Sequence, residues 1–512
     1  MNLKTLFTTV DPRKDSEVTS LVFDAKLASP GSVFVAIRGS KVDGHSFISE
    51  AIQRGAKAVV VEDPSLVPRE FSGFVQTVDS SRRELARLSA AWQRSPSKEL
   101  FTVGVTGTNG KTTTTHMIEA VLNHGGLPTG VIGTIDHHLG AKVWSTERTT
   151  PDPVVFQTRL RQFVESGAKA VAIEVTSHAL DQSRVESVEF DVGLFTNLTR
   201  DHLDYHGTIE AYFESKLKFF TELLHRSEKP RPRAILHIDD PWIEKAFQRI
   251  VPLKKPDVWT FGQKCRDRTS GANHVDFEYE ILTQGFDGAE IVLKSPFGER
   301  RLQLAMAGIY NIQNAVGAMA TGLAAGFNID LASKAIESLR GVNGRLESVE
   351  NSLGLNVFVD YAHTDDAITA ILRLLQDLRS ASKSRTSGRP QIITVFGCGG
   401  DRDAGKRPLM MKAALGGSDT VIVTSDNPRT EDPEKIIDDA MTGASPSDHS
   451  RIHRVVDRRR ALMKALEIAT QGDVILIAGK GHEVTQTIGT QKFPFSDVLV
   501  VRELMEGSNV SS

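Results

Sequence analysis

The chain is poor in cysteine, has no excess of one charge and lacks long apolar runs. Only Cys265 and Cys398 occur in 512 residues. They are far apart, which excludes a disulfide framework and a CxxC metal pattern and fits a reducing cytosol. Basic and acidic residues nearly cancel, 61 against 64, for a net charge of −3. No overall field therefore recruits nucleic acid or a membrane surface, and partners must be recognised locally. No stretch of ~18 consecutive apolar residues appears, so no membrane insertion is expected. The opening MNLKTLFTTVDPRKD lacks the apolar core of a signal peptide, and a cytoplasmic location is expected. No internal repeat is found. What remains is an ordinary globular composition, 40% hydrophobic and 24% charged. The length suits about three domains at roughly 100–200 residues each.

The most informative stretch is Phe101–Thr115, FTVGVTGTNGKTTTT. A β-branched run feeds a Gly-rich turn ending in Gly-Lys-Thr, the order of parts that a nucleoside triphosphate requires. Backbone N–H groups of the turn and the following helix N-terminus face phosphates, Lys111 reaches the β and γ oxygens, and the Thr112 hydroxyl sits on Mg2+. The glycines stand at Gly104, Gly107 and Gly110, and Val105 occupies the position where the standard pattern has glycine. The context carries the assignment instead. Val103 and Val105 suit a buried strand, and Thr112–Asn123 predicts a helix with Met117, Ile118 and Leu122 at helical spacing, closed by Gly125-Gly126.

Three blocks follow from the pattern: 1–98, 99–341 and 342–512. The first has strand-like SVFVAI (32–37) and AKAVVVE (56–62) around helix-like FISEAIQRG. The second alternates strands TVGVTG, AVAIEV (170–175), DVGLFTN (191–197) and RAILHI (233–238) with helices, a doubly wound α/β sheet around the P-loop. The third has strands at NVFVDY (356–361), QIITVFG (391–397), DTVIVTS (419–425) and DVILIAG (473–479), a second Rossmann-like sheet. The polar SASKSRTSGRP (380–390) is expected to be a solvated loop.

Polar residues at strand ends are the ones to weigh, because ligands of open α/β sheets gather there. Glu174 interrupts an apolar strand beside the P-loop and suits a Mg2+ ligand. TNLTRDHLDYHGT (196–208) packs Asp201, His202, Asp204 and His206 into six residues. These residue types make a hard-metal shell, an acid–base set, or a turn whose side chains satisfy backbone. Strand ends in the third block deliver GCGGDRDAGKRP (397–408), SDNPRTED (425–432) and AGKGHE (478–483). Clustered Arg and Lys with Glu483 suit a zwitterionic substrate, since guanidinium pairs with carboxylate and Glu with ammonium.

These motifs together resemble the ATP-dependent Mur ligases of peptidoglycan assembly over nearly the whole chain. TGTNGKTTT, EVTSHAL, FTNLTRDHLDYHG, YNIQNA, GRLE, DYAH, GCGGDRDAGKRP, DNPR and GKGHE carry the resemblance. It implies a small N-terminal α/β UDP-binding domain, a central P-loop domain and a C-terminal Rossmann-like domain that binds an amino acid. It further implies a monomer working on small molecules. The resemblance places ATP on Gly107, Thr108, Asn109, Gly110, Lys111, Thr112 and Thr113, with Asn311, Arg345, Asp360 and His363. Asn197 joins Lys111, His202 and Lys216 as catalytic, while Thr112, Glu174, His202 and Lys216 hold Mg2+. Lys216 corresponds to a carbamylated lysine in the family; its sequence context alone predicts a helix-surface lysine. Ser40, Lys41, Val42, Thr149, Thr150, Thr176, Gln182, Arg184 and Lys216 fall where the family holds the UDP-muramoyl-peptide.

Two departures stand out. Asp24-Ala25-Lys26 replaces an Asp-Ser-Arg frequent in relatives, and Asp365 replaces a usual proline. DNPR, Asp426-Asn427-Pro428-Arg429, resembles the type that adds meso-diaminopimelate rather than L-lysine, with Arg402, Gly479 and Glu483 as its partners. The implied reaction joins that amine to the D-glutamate γ-carboxylate of UDP-N-acetylmuramoyl-L-Ala-D-Glu through an acyl phosphate, with closure of the third domain excluding water. The rivals are a folyl-polyglutamate-type ligase, which has no N-terminal UDP unit, a P-loop switch or motor ATPase, and a non-enzymatic nucleotide-binding module.

Overall fold

The computed structural model describes residues 1–11, 15–39, 42–146, 148–264, 275–381 and 389–508. They gather into two compact units. One comprises Met1–Tyr279, Lys294–Glu299 and Gln313–Ile336; the other comprises Glu280–Leu293, Arg300–Ile312 and Glu337–Ser512.

The first unit opens with four parallel strands in sequence order: β1 (Ser20–Val22), β2 (Ser32–Val35), β3 (Ala58–Val61) and β4 (Phe74–Thr77). β2 and β3 are buried at every position because both faces are covered. Val33, Val35, Ala58 and Val60 pack with Leu3, Leu6, Leu85 and Leu88. Phe34, Val59 and Val61 pack on the opposite face with Ile48 and Ala51.

A second sheet follows, formed by β5 (Phe101–Thr106), β6 (Thr129–Ile132), β7 (His137–Leu139), β8 (Lys142–Trp144), β9 (Ala170–Glu174), β10 (Val192–Phe195), β11 (Arg233–His237), β12 (Asp257–Gln263) and β13 (Phe277–Gly285). Its order is β13-β12-β11-β10-β5-β9-β6-β7-β8. β5 is central and parallel to both β10 and β9, so the P-loop leaves the middle of the sheet, where a doubly wound fold places its ligand. Gly104 lies opposite Gly193 in register. A Cβ on Gly104 would come within 2.4 Å of Phe219 Cζ, so the missing side chains make room for an aromatic layer of Phe190, Phe219 and Phe220. β13, β14 (Gly288–Ser295) and β15 (Gly298–Leu304) carry residues of both units.

The second unit is built on a sheet of β16 (Glu347–Ser348), β17 (Asn356–Asp360), β18 (Ile392–Cys398), β19 (Thr420–Ser425), β20 (Ile452–Arg454) and β21 (Val474–Ala478), in the order β16-β17-β21-β18-β19-β20. All but the β16 pairing are parallel. One face packs on Leu372, Leu375, Met411 and Ile437, the other on Ala461, Leu462 and Val501. A hairpin of β22 (Thr485–Ile488) and β23 (Gln491–Pro494) follows. The parallel register brings the carboxyl ends of β17, β18, β19 and β21 together, and the loops after them carry the polar motifs.

Each strand expected from an apolar run is found within a residue or two, and the helix after the P-loop is Lys111–His124. Ala381 ends a helix that starts at Asp365, while 382–388, the heart of the expected polar loop, lie outside the described residues, as does Cys265. No described helix is long and apolar enough to cross a membrane.

Candidate active site

The P-loop is held in shape by its own backbone and by β10. Gly107 and Gly110 sit at φ +146° and +86°, left-handed conformations that side chains resist, and a Cβ on Gly107 would meet Thr196 Oγ1 at 2.0 Å. Asn197 clamps the turn from both sides. Its Oδ1 accepts from Asn109 N at 2.9 Å, and its Nδ2 donates to Asn109 O at 3.1 Å. These two bonds make Asn197 a side chain that fixes the loop. Thr108 donates to Thr199 O, and Lys111 Nζ folds onto the loop carbonyls of Gly107 and Thr108 at 3.0 and 2.7 Å. Thr112 and Thr113 are buried at the start of the helix.

Lys216 is the largest departure from the reading of its sequence context alone. It lies on the helix Ile209–Lys218, which runs on as a π-helical segment, Phe219–Leu224, and it is 1% exposed rather than on a surface. Its Nζ donates to Gly107 O at 2.7 Å and lies over the Tyr212 ring. Burial, then the neighbouring Lys111 charge, holds this amine well below the ordinary lysine range. The charged ammonium is thus disfavoured where Lys216 meets the P-loop carbonyl. The helical periodicity of EAYFESKLKFF could not reveal this, since the burying neighbours come from other elements.

Glu174 ends β9 opposite Val105 and is fully buried. Its carboxylate accepts from the Thr134 backbone N at 2.8 Å and the Thr134 hydroxyl at 3.0 Å. His202 stands at φ +52°, half exposed beside Asp201. Burial, with the Lys111 and Lys216 charges, pulls its imidazole down against Asp201. His178 and His206 share this aromatic cluster with Tyr205. Burial and the other two rings bring His178 to about 4.

Five of the muramoyl-peptide candidates, Thr149, Thr150, Thr176, Gln182 and Arg184, form one network. Thr149 meets Thr134, Thr150 donates to Glu174 O at 2.6 Å, and Thr176 N bonds Thr150. Arg184 donates to Thr150 O at 2.7 Å and to Gln182 Oε1. Gln182 and Arg184 also line a cavity of about 420 Å³, with Asp24, Ala25, Lys26, Val42, Arg82, Arg148 and Asp152 on its wall. Ser40 and Lys41 lie outside the described residues.

In the second unit, Asp360 ends β17, and its carboxylate accepts from the Leu346 and Ala362 backbones. Burial raises it above the ordinary carboxylate range, against the Arg345 charge. Arg345 stacks at 5.2 Å on Tyr361, His363 is exposed, and Asn311 Nδ2 donates to Ala307 O. Asp365 begins a helix, a first-turn position that suits an acidic residue as well as proline.

The DNPR loop is tightly organised. Asn427 Nδ2 donates to Glu483 Oε2 at 2.8 Å, and fully buried Lys480 donates to the same oxygen at 2.9 Å. Burial pushes the Glu483 carboxyl up, but Lys480 outweighs it and leaves it below the usual range. Asp426 is buried and raised, the Arg458 and Lys480 charges notwithstanding. Pro428 is buried, Gly479 approaches Asp426 at φ +116°, and Arg402 is exposed. Arg429 holds φ +52°, and its Nη1 donates to Gly400 O at 2.7 Å. Lys480 and Asn314, which meets Thr114 at 3.1 Å, are the polar contacts missed from the sequence. Lys480 lies inside the GKGHE motif, and Asn314 inside YNIQNA.

A Gly-rich loop between the central parallel strand and a helix, with a buried lysine on its carbonyl, defines a P-loop α/β protein. Three families match in order: Mur ligase family, catalytic domain, at residues 17–94; Mur ligase middle domain at 105–322; and Mur ligase, glutamate ligase domain, at 344–481. The UDP-N-acetylmuramoyl-L-alanyl-D-glutamate--2,6-diaminopimelate ligase of Geobacter metallireducens is 42% identical over 497 residues, covering 94% of this chain and 93% of its own. The protein of that name from Aquifex aeolicus is 41% identical, covering 96% and 94%. A solved structure of a ligase of that name superposes with a TM-score of 0.69 at 31% identity, covering 99% of both chains. The chain belongs to the Mur ligase family.

Proposed function

We propose that the chain is an ADP-forming ligase that joins meso-diaminopimelate to the D-glutamate γ-carboxylate of UDP-N-acetylmuramoyl-L-Ala-D-Glu in peptidoglycan precursor synthesis. One observation carries the reading: the match at 42% identity runs almost end to end with a ligase of that name. The family match at 17–94 weighs against a folyl-polyglutamate ligase, which the sequence argument expects to lack that domain.

The chemistry follows from charge. A carboxylate is a poor electrophile, so its oxygen takes the γ-phosphoryl of ATP, giving ADP and an acyl phosphate. The substrate amine then attacks the acyl carbon, the C–O bond breaks and phosphate leaves with its electron pair. Lys111 neutralises charge on the transferring phosphoryl, and the Asn197 clamp keeps Asn109 N and the loop in register. Thr149, Thr150, Thr176, Gln182 and Arg184 hold the acyl substrate, and the cavity beside them takes its UDP portion. Asn311, Arg345, Asp360 and His363 serve the nucleotide.

The donor set suits a hard cation. The Thr112 hydroxyl, the Glu174 carboxylate, His202 and a carbamate formed on Lys216 would hold Mg2+, which supplies charge neutralisation at the phosphates when bound. The neutral amine is the reactive form for CO2 capture. For the incoming amino acid, Arg429 is anchored on Gly400 by one nitrogen and offers its remaining edge to the distal carboxylate that lysine lacks. Arg402, Asp426, Asn427, Pro428, Gly479 and Glu483 frame the other groups.

We further propose boundaries near 98 and 341, a cytoplasmic monomer, and no role for nucleic acid. ADP release tests the reaction, measured with the UDP-dipeptide plus meso-diaminopimelate, plus L-lysine, or with no amino acid. Turnover is expected to be fast with the first, much slower with L-lysine and absent without an amino acid. ATP consumption indifferent to the UDP-dipeptide would support the switch ATPase instead, and equal turnover with lysine would defeat the Arg429 argument. Lys111→Ala is expected to lower ADP release by about 10²-fold or more.

A further inference from the structure

The helix Lys111–His124 has a second polar face that the reaction above does not use. His116 and Glu119, three residues apart on one side of this helix, meet His138 of β7. One ligand atom from each lies within 4.8 Å of the others, and all three residues are partly buried. His138 Nε2 is 3.0 Å from Glu119 Oε1, and the two imidazoles lie 5.5 Å apart.

The outer partners orient the rings. His116 Nδ1 lies 2.8 Å from Thr112 O, and a carbonyl only accepts, so Nδ1 carries the proton and Nε2 presents its lone pair. His138 Nδ1 lies 2.6 Å from Asp136 Oδ1, the carboxylate–histidine arrangement that fixes a metal-binding tautomer and leaves Nε2 as the ligand. Two imidazoles and one carboxylate with an open fourth position are the donors of a Zn2+ centre, not of the oxygen shell that Mg2+ prefers.

We propose that His116, Glu119 and His138, steadied by Asp136, form a site for Zn2+ or a similar transition-metal ion on the flank of the P-loop helix. The ion ties the second turn of that helix to β7, and its binding stabilises the first unit increasingly as free ion exceeds the dissociation constant. The rival arrangement is metal-free. Burial pulls His138 down, but Asp136 and Glu119 outweigh it and raise the ring to about 10, a protonated histidine between two carboxylates.

The test titrates the full-length, chelator-stripped protein with Zn2+ in excess Mg2+, following calorimetric stoichiometry and melting temperature, with Co2+ absorption as a spectroscopic check. One equivalent of Zn2+ is expected to bind and raise the melting temperature. Affinity should fall at least about tenfold in His116→Gln and in His138→Gln, and about 10–100-fold in Asp136→Asn. His116→Gln leaves the His138 ion pairs intact, so its loss of binding is separable from misfolding by circular dichroism. Absence of Zn2+ binding overturns the proposal in favour of the ion pairs. Affinity retained within about twofold in either histidine variant overturns it in favour of an ion bound elsewhere.

Discussion

Lys216 sets function against stability at a single position. Its folded-state pKa is depressed, so between that value and the ordinary lysine pKa the unfolded chain binds more protons, and stability rises with pH across that window. The cost is fully present below the folded value and vanishes above the ordinary one. In CO2-depleted buffer, Lys216→Met is therefore expected to raise the melting temperature at neutral pH, with a margin that narrows toward about pH 10.4, while abolishing ligation. A variant that is less stable at neutral pH would show that the bond to Gly107 O outweighs the burial of the amine. Arg429 poses the complementary case. It holds a left-handed backbone, a conformation costing about 1–3 kcal/mol that survives where function requires it. Truncating a buried charge partner costs about 2–5 kcal/mol. Arg429→Ala should therefore lower kcat/KM for meso-diaminopimelate by roughly 30-fold or more and leave that for lysine nearly unchanged. Equal losses for both amino acids would make Arg429 a loop anchor through Gly400 and nothing more.

Between elements, the clearest dependence in the second unit is the Arg458–Asp497 pair. It joins the helices Arg458–Ile468 and Asp497–Ser508, with both side chains fully buried and bonds of 2.7 and 2.8 Å. Removing one partner strands a buried charge. Arg458→Met is expected to lower stability by about 3–5 kcal/mol, and adding Asp497→Leu should restore most of it. Urea unfolding of the single and double variants measures this, and a double variant as unstable as the single would refute the stranded-charge account. The same elements show what a sequence discloses. β9, β10, β18, β19 and β21 are legible because strands buried on both faces read as near-continuous apolar runs. β15, GERRLQL, and the short β7 and β8 are not, because half-exposed strands carry polar residues that resemble loop. In the site, strand-end residues such as Glu174 and Asp426 are legible by position. Lys216 is legible only through a family resemblance, and the full burial of Lys480 is not legible at all, since burial imposed by distant elements leaves no local trace.

At the scale of the whole molecule, the near balance of 61 basic and 64 acidic residues bears on how anionic substrates are captured. Steering by a net field changes association by about 10–10³-fold and fades steeply with salt. This chain has no such net field. The cavity beside Arg184 is lined by Lys26, Arg82, Arg148 and Arg184 but also by Asp24, Glu50 and Asp152, so its potential is short-ranged and mixed in sign. The Debye length is already about 10 Å at 0.1 M salt, comparable with the separations inside such a pocket, so added salt screens little that was not local. The kcat/KM for the UDP-dipeptide is therefore expected to change by less than about tenfold between about 50 and 300 mM KCl. A steeper decline would show that the positive groups of the cavity act at long range despite their acidic neighbours. In that case Arg82→Ala and Arg148→Ala should flatten the salt dependence, and the same substitutions would leave it unchanged if recognition is made by contact alone.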